Sequence, residues 1–248
     1  MGTVKIEKKG NVAILTLTNG VTNAVSSDLV NDLSGALSEI RDDANGMVLT
    51  GGDKFFSIGL NLPELIRLDR AGMGDFWRRF VQVAFDIYMM PMVTAAAVTG
   101  HAPAAGTVFM LACDYRFAAE GKKMLGLNEI KLGIPVPFIT DLMLRQITGD
   151  RVATDILFQG EFLVPEKALK IKMIDGMHPL EEVLDKAVEK ISSMAGYQNA
   201  AVAAMKAIRT EDIRLKYLEN AEKQHQIFLD CWFSDTTQKI LAEAVEKF

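Results

Sequence analysis

Metal-ligating side chains are scarce in this sequence. Three histidines, His101, His178 and His225, and two cysteines, Cys113 and Cys231, are spread over 248 residues with no HxxxH or CxxC spacing. That scarcity argues against a zinc site and a disulfide framework, and the chemistry is expected to proceed without metal. The cysteines lie in apolar surroundings far apart in sequence and read as reduced, buried thiols, which fits a reducing compartment. Positive charge is not in excess either: 27 Lys and Arg against 32 Asp and Glu give a formal net charge of −5. Without a basic excess, no domain-wide surface can release the counterions of a nucleic acid. No apolar run reaches membrane-spanning length, and the N-terminus alternates charged and apolar residues from Lys5 without an h-region or an arginine-rich presequence. The expectation is a soluble, cytoplasmic protein with no membrane partner, or a mitochondrial-matrix protein from which a presequence was removed. Tandem repeats and low-complexity tracts are missing as well.

What is present is hydrophobic content, 49% of the chain, enough for a large core that folds without staples. Residues 4–7 and 12–17, parted by Lys9-Gly10-Asn11, predict a hairpin. Apolar residues at Leu29, Val30, Leu33, Leu37 and Ile40 predict a helix over 27–40 with Ser26 or Ser27 as N-cap. A buried strand over 46–50 follows, completing a strand-helix-strand unit that calls for a right-handed crossover. A glycine-bearing loop over 55–62 leads into helical stretches over 63–68 and 71–90, the second rich in Phe, Met and Trp. Those aromatics suit ordinary core packing, and also the lining of an apolar tunnel. Pro91 breaks the helix, and residues 93–98 return as a strand of small and β-branched residues. Beyond residue 138, helices are predicted through 147, over 152–159, 165–170 and 180–194. The pattern then turns wholly helical, over 200–208, 210–229 and 234–247. The chain is therefore α/β, divided into a core of residues 1–194 and a helical region of residues 195–248.

The stretch from Val98 to Phe138 concentrates the functional candidates. Ala102 to Gly106 are too small to fill space, so a ligand or a second backbone can approach the main chain there. The apolar run from Thr107 to Ala112 suits a buried helix, whose first amides would face outward with partial positive charge. The same residues equally suit close helix-sheet packing. Glu129 falls between Leu127 and Ile130 in a strand-like apolar segment, where a carboxylate that loses solvation gains proton affinity and can act as a base. A polar face of a half-buried sheet would also accommodate it.

The order of Asn23-Ala24, Phe56-Ser57-Ile58-Gly59-Leu60-Asn61-Leu62, Pro91 before a small-residue strand, Ala104-Ala105-Gly106, Cys113-Asp114 and Asn128-Glu129-Ile130 resembles the crotonase (enoyl-CoA hydratase/isomerase) superfamily over almost the whole chain. GHAPAAG, LACDYRF and GLNEIKLGIPVPF look most like its Δ3,Δ2-enoyl-CoA isomerase branch. The resemblance implies a spiral of β-β-α turns with a C-terminal helical region that takes part in forming a trimer or hexamer. It also implies an acyl-CoA thioester as substrate, with no cofactor beyond the coenzyme A that the substrate carries. Carried over by motif, the catalytic groups are the backbone amides of Leu60 and Ala105, which would hold the thioester oxygen, and the carboxylate of Glu129. Substrate contacts would come from Ile58, Gly59, Asn61, Leu62, Gly106, Val108, Phe138 and Phe233.

The same resemblance separates possible reactions. A hydratase of the family places a first Glu soon after the oxyanion glycine, and that position aligns with Val108, which cannot exchange a proton. One remaining carboxylate suffices to move a proton from C2 to C4 of a 3-enoyl thioester. The expected activity is therefore isomerisation of 3-enoyl-CoA to 2-trans-enoyl-CoA in fatty-acid oxidation. A hydratase, a thioester hydrolase and a non-catalytic CoA-ester-binding protein are the alternatives. His101 is a further possible base, or a loop histidine bonded to backbone; Lys54 and Arg67 are candidate phosphate contacts. Asn61 replaces a frequent Asp, a charged residue common near Asn23-Ala24 is missing, and Lys172 stands where the family often has glycine.

Overall fold

In the computed structural model, which describes residues 2–246, the opening hairpin is as predicted: β1 (Val4–Lys9) and β2 (Val12–Leu17) pair antiparallel. Gly10 at φ +61° makes the tight turn that a side chain would resist. Helix α1 (Ser27–Ile40) is capped by Ser26, whose hydroxyl accepts from the Leu29 N–H at 3.2 Å. Strand β3 (Gly46–Thr50), short helix α2 (Leu62–Leu65), helix α3 (Arg70–Tyr88) and strand β4 (Val93–Val98) follow. Then come β5 (Ala102–Pro103), α4 (Ala105–Leu111), β6 (Tyr115–Ala119), β7 (Leu125–Gly126) and a 3₁₀ turn, Glu129–Leu132. The chain continues through α5 (Phe138–Thr148), α6 (Asp150–Gln159), α7 (Pro165–Lys170), β8 (Gly176–His178) and α8 (Leu180–Ser192). Helices α9 (Asn199–Trp232) and α10 (Asp235–Val245) close it.

Six strands form one sheet in the order β1-β2-β3-β4-β6-β8, parallel from β2 onward. A second, thinner layer consists of the β5-β7 pair with the bridges Val25 to Leu60, Phe55 to His101 and Leu125 to Leu163. The chain thus winds as long strand, short strand, helix: β4-β5-α4, and then β6-β7 with the 3₁₀ turn and α5. This is the spiral of β-β-α turns. The period-2 alternation of β4 serves both sides of the main sheet. Ala96 and Val98 join the large cluster shared with α1, α3, α4 and α9, while Ala95 and Ala97 pack with Val183, Ala187 and Ile191 of α8. Alanines are what let two layers close on that strand.

Several expectations are corrected. Glu129 is not in a strand, because β7 ends after two residues at Gly126, where φ is +138° and an added Cβ would lie 2.9 Å from the Glu161 carbonyl oxygen. The chain turns there, and the 3₁₀ turn that follows is closed by Gly133 in the left-handed region. The expected break near Arg209 does not occur, since Thr210 keeps helical geometry by turning its hydroxyl back to the Lys206 carbonyl at 2.8 Å. The expected end of the last helix at Lys247 lies outside the described residues. Cys113 is buried, and burial pushes its thiol up to about 12, but Cys231 is only half-buried. Lys172 has φ +63°, a conformation that glycine adopts without penalty.

The long helix α9 is joined to the sheet by an ion pair. The Lys206 ammonium, 8% exposed, donates to Asp114 Oδ2 at 2.7 Å and to the Met92 carbonyl at 3.0 Å. Asp114 also accepts from the Thr94 N–H at 2.8 Å. Removing the acid alone strands a buried cation. Asp114→Ala is expected to lower unfolding free energy by about 2–4 kcal/mol, and Asp114→Ala/Lys206→Met to recover part of it. Urea unfolding of both variants checks this, and equal losses would mean the pair contributes nothing beyond packing.

Candidate active site

Two loops with unusual backbone meet at the C-terminal ends of β3 and β4. In the first, Asn23 is buried at φ +47°. Its amide donates to the Phe55 and Phe56 carbonyls at 3.3 and 3.2 Å and accepts from the Asn19 N–H at 2.8 Å. The Ser57 hydroxyl donates to the Asn23 carbonyl at 2.7 Å and accepts from the Gly59 N–H at 3.2 Å. Val25 N–H then donates to the Gly59 carbonyl at 2.8 Å, and the Val25 carbonyl accepts from Asn61 N–H at 3.0 Å. In a trans peptide the N–H opposes the C=O. With the Gly59 carbonyl aimed at Val25, the Leu60 N–H must face the other way, where no acceptor among the described residues meets it.

The second loop is fixed by Thr107, whose hydroxyl donates to the Ala102 carbonyl at 2.5 Å and accepts from the Gly126 N–H at 2.8 Å. Ala104 sits at φ +49°, ψ −118°, a costly backbone for a residue with a side chain, held there by its N–H on the Gly126 carbonyl at 2.8 Å. Ala105 opens α4, so its N–H has no acceptor within the helix. The two loops abut: a Cβ on Gly106 would fall 2.7 Å from the Ser57 carbonyl oxygen, and one on Gly59 3.8 Å from the Ala105 nitrogen. Small residues here serve both a close backbone approach and a pair of outward amides.

Glu129, 5% exposed, lines the same cavity of about 300 Å³ as Leu60 and Ala105. Its Oε2 is sealed from solvent and has no hydrogen-bond partner among the described residues. Burial pushes its carboxyl up to about 7, so near neutral pH it can both take and return a proton. The rest of the lining is neutral, and Glu129 is the one ionisable side chain among the described residues that line the cavity.

Of the residues named from sequence, Ile58, Leu60, Leu62, Ala105 and Glu129 line this cavity. Gly59, Asn61, Gly106 and Val108 are not among the residues that line it. Asn61 donates its amide to Glu64 at 3.0 Å, and Val108 is fully buried in the core. Phe138 faces a different groove, between α3 and α9, and Phe233 lies at the end of α9 with the Arg70 guanidinium 5.9 Å from its ring centre; neither lines the cavity. His101 accepts at Nδ1 from the Met124 N–H at 3.0 Å, and burial, then Lys123 and Lys54, lower its proton affinity below the usual histidine value. Lys54 and Arg67 are both exposed. Sequence reading missed Met124 within the Val98–Phe138 stretch, and Phe162 and Ala244, which reach the cavity from distant segments. Trp77 and Phe80 of α3 also line it, so part of that helix's aromatic content faces the cavity. Among the described residues no three His, Cys, Asp or Glu side chains gather in a metal-binding group, and no helix is long and apolar enough to cross a membrane.

A buried carboxylate on an apolar cavity that is also lined by Leu60 and Ala105 can take up and return a proton. The enoyl-CoA hydratase/isomerase family model matches residues 7–248, and the chain belongs to that family. It is 28% identical to mouse enoyl-CoA delta isomerase 1, mitochondrial, over 98% of this chain and 86% of the relative. A probable enoyl-CoA hydratase of Mycobacterium tuberculosis is 33% identical over 79% of this chain and 76% of the relative. The crystal structure of human mitochondrial delta3-delta2-enoyl-CoA isomerase superposes with a TM-score of 0.94 at 27% identity, covering 99% of this chain and 97% of that one.

Proposed function

We propose that the protein is a Δ3,Δ2-enoyl-CoA isomerase that converts 3-enoyl-CoA to 2-trans-enoyl-CoA in the oxidation of unsaturated fatty acids. The observation that carries this reading is Glu129, the single ionisable side chain among the described residues on the cavity, with buried, apolar Val108 at the position where the family resemblance puts a hydratase's second acid. Hydration adds a proton and a hydroxyl across a double bond and is served by two carboxylates around a bound water. Moving a double bond needs one base that returns what it took.

In the proposed cycle the Glu129 carboxylate removes a proton from C2. The C2–H electron pair enters conjugation with the C3–C4 double bond and the carbonyl, giving a dienolate. Its negative charge rests on the thioester oxygen, held by the Leu60 and Ala105 N–H groups, each contributing roughly 3–4 kcal/mol of transition-state stabilisation. Protonated Glu129 then delivers the proton to C4, and the electrons settle as a C2–C3 double bond beside a restored carbonyl. No cofactor enters beyond the substrate's own coenzyme A. Assembly as a homotrimer or hexamer through the C-terminal helices is part of the same reading.

The test is product analysis. With 3-enoyl-CoA, absorbance of the conjugated thioester is expected to grow without 3-hydroxyacyl-CoA. Formation of 3-hydroxyacyl-CoA from 2-enoyl-CoA at enzyme-like rates would establish a hydratase instead, and release of free coenzyme A a hydrolase. Tight binding of 3-enoyl thioesters with no turnover would leave a CoA-ester-binding protein.

A further inference from the structure

Two cavities meet back to back at Trp77. The reacting cavity, of about 300 Å³, holds Glu129 and Ala105; the second, of about 220 Å³, lies between α3, α9 and the segment before α5. Trp77 and Pro137 are the residues common to both linings. Trp77 is held flat against Phe228 of α9, ring centres 3.5 Å apart and planes within 1°, and both rings are almost fully buried. Phe80 braces it from the reacting side, 5.5 Å from ring centre to ring centre. Behind this wall the second cavity takes apolar surface from Val81, Val136, Phe138, Tyr217 and Ala221, and a polar rim from Arg78, Gln82, Glu222, Gln224 and His225.

We propose that the Trp77–Phe228 stack is the end wall of the acyl site and sets the length of chain it accepts, with the apolar side of the groove behind it, at Val81, Val136 and Tyr217, as an unused extension. The inference rests on the acyl-CoA reading above. Once a thioester oxygen is held at Leu60 and Ala105 and C2 faces Glu129, the tail must fill what remains of the cavity, which Trp77 and Phe80 help to bound. Each methylene that finds apolar space adds about fourfold in affinity. A methylene that meets a buried, stacked indole finds none, and the gain stops. A smaller side chain at position 77 would join the two cavities, letting longer tails reach Val136 and Tyr217.

Saturated acyl-CoA thioesters of increasing length serve as probes, because their binding does not depend on turnover. Wild-type affinity is expected to rise per methylene and then level off at a defined length. In Trp77→Leu the rise continues for further methylenes, so the affinity ratio of long over short chains grows at least about tenfold. Val136→Trp fills the rear groove and is expected to change nothing in the wild type, while cancelling the gain in Trp77→Leu. Phe228→Leu, which loosens the stack without touching the reacting cavity, is expected to shift the plateau in the same direction and guards against misfolding of the first variant. A plateau unmoved in folded Trp77→Leu and Phe228→Leu overturns the wall. Altered long-chain binding in Val136→Trp alone also overturns it, since the groove would then already be in use. Saturable acyl-CoA binding without isomerisation would instead sink the isomerase reading and leave the wall to be judged by the same series.

Discussion

Glu129→Gln is expected to lower kcat for 3-enoyl-CoA by about 10²–10⁴-fold while acyl-CoA binding stays close to normal, because an amide keeps the shape of the side chain and cannot accept the C2 proton. The same variant is expected to be more stable than the wild type above neutral pH. The sign follows from proton counts. A free glutamate titrates near 4.5, whereas buried Glu129 titrates at about 7. Between those values the native state holds a proton that the unfolded chain has released, so unfolding free energy falls as pH rises across that window. Above it the buried carboxylate costs about 3 kcal/mol. Urea unfolding of both proteins should therefore show little difference below the window and a growing advantage for Glu129→Gln as pH rises through it. Wild-type kcat/KM should move oppositely, falling about tenfold per pH unit below about 7, where the base is protonated. A stability difference that does not vary with pH would mean that Glu129 is not ionised against burial, and near-normal turnover in the variant would remove it from the mechanism.

That tension between stability and function explains which parts of the site could be read in advance. Helix α1 and strands β2 to β4 follow from local patterns, because the periodicity that buries Leu29, Leu33 and Leu37 is the periodicity of the backbone itself. Glu129 was legible as a lone acid in an apolar segment, yet its element was not. β7 is two residues long, and its second residue, Gly126 at φ +138°, looks like part of a longer strand until Glu161 is seen to pack against it. Leu60, Ala105 and Gly106 were legible through motif order, not through physical pattern. Nothing local in alanine-alanine-glycine states that the first alanine is at φ +49°. Phe162 and Ala244 carried no signal at all, since an apolar residue brought to a cavity from a distant segment looks like any other apolar residue. Trp77 sits on a helix stripe that is mostly core, and only the second cavity behind it distinguishes its role.

Gly106→Ala is the substitution expected to damage catalysis most without removing any functional group. Within a helix, alanine is intrinsically better than glycine by about 1 kcal/mol. Here the added methyl carbon would stand 2.7 Å from the Ser57 carbonyl oxygen, a backbone atom with little room to retreat. Ser57 is tied through its hydroxyl to the Asn23 carbonyl and the Gly59 N–H, and Asn23 to two further carbonyls. The contact is thus relieved by moving the loop over 57–60 away from α4, and the Leu60 amide travels with it. Overpacking of this kind costs about 1–3 kcal/mol of stability. The kinetic cost is larger: with one of two outward amides out of position, kcat should drop by about 10²–10³-fold. Ala105→Gly leaves its amide in place and is expected to retain most activity. Three CoA ligands separate misplacement of the amides from general damage: a thioether without a carbonyl oxygen, an unreactive thioester of equal length, and an enolate-like analogue. In the wild type, affinity should rise along that series, by about 0.5–1.5 kcal/mol per hydrogen bond to the neutral carbonyl and by more once the oxygen is charged. In Gly106→Ala the thioether should bind nearly as before and the enolate-like ligand should lose most. Equal losses for all three would show that the glycine protects packing alone, and equal wild-type affinities would remove the two amides from the proposed chemistry.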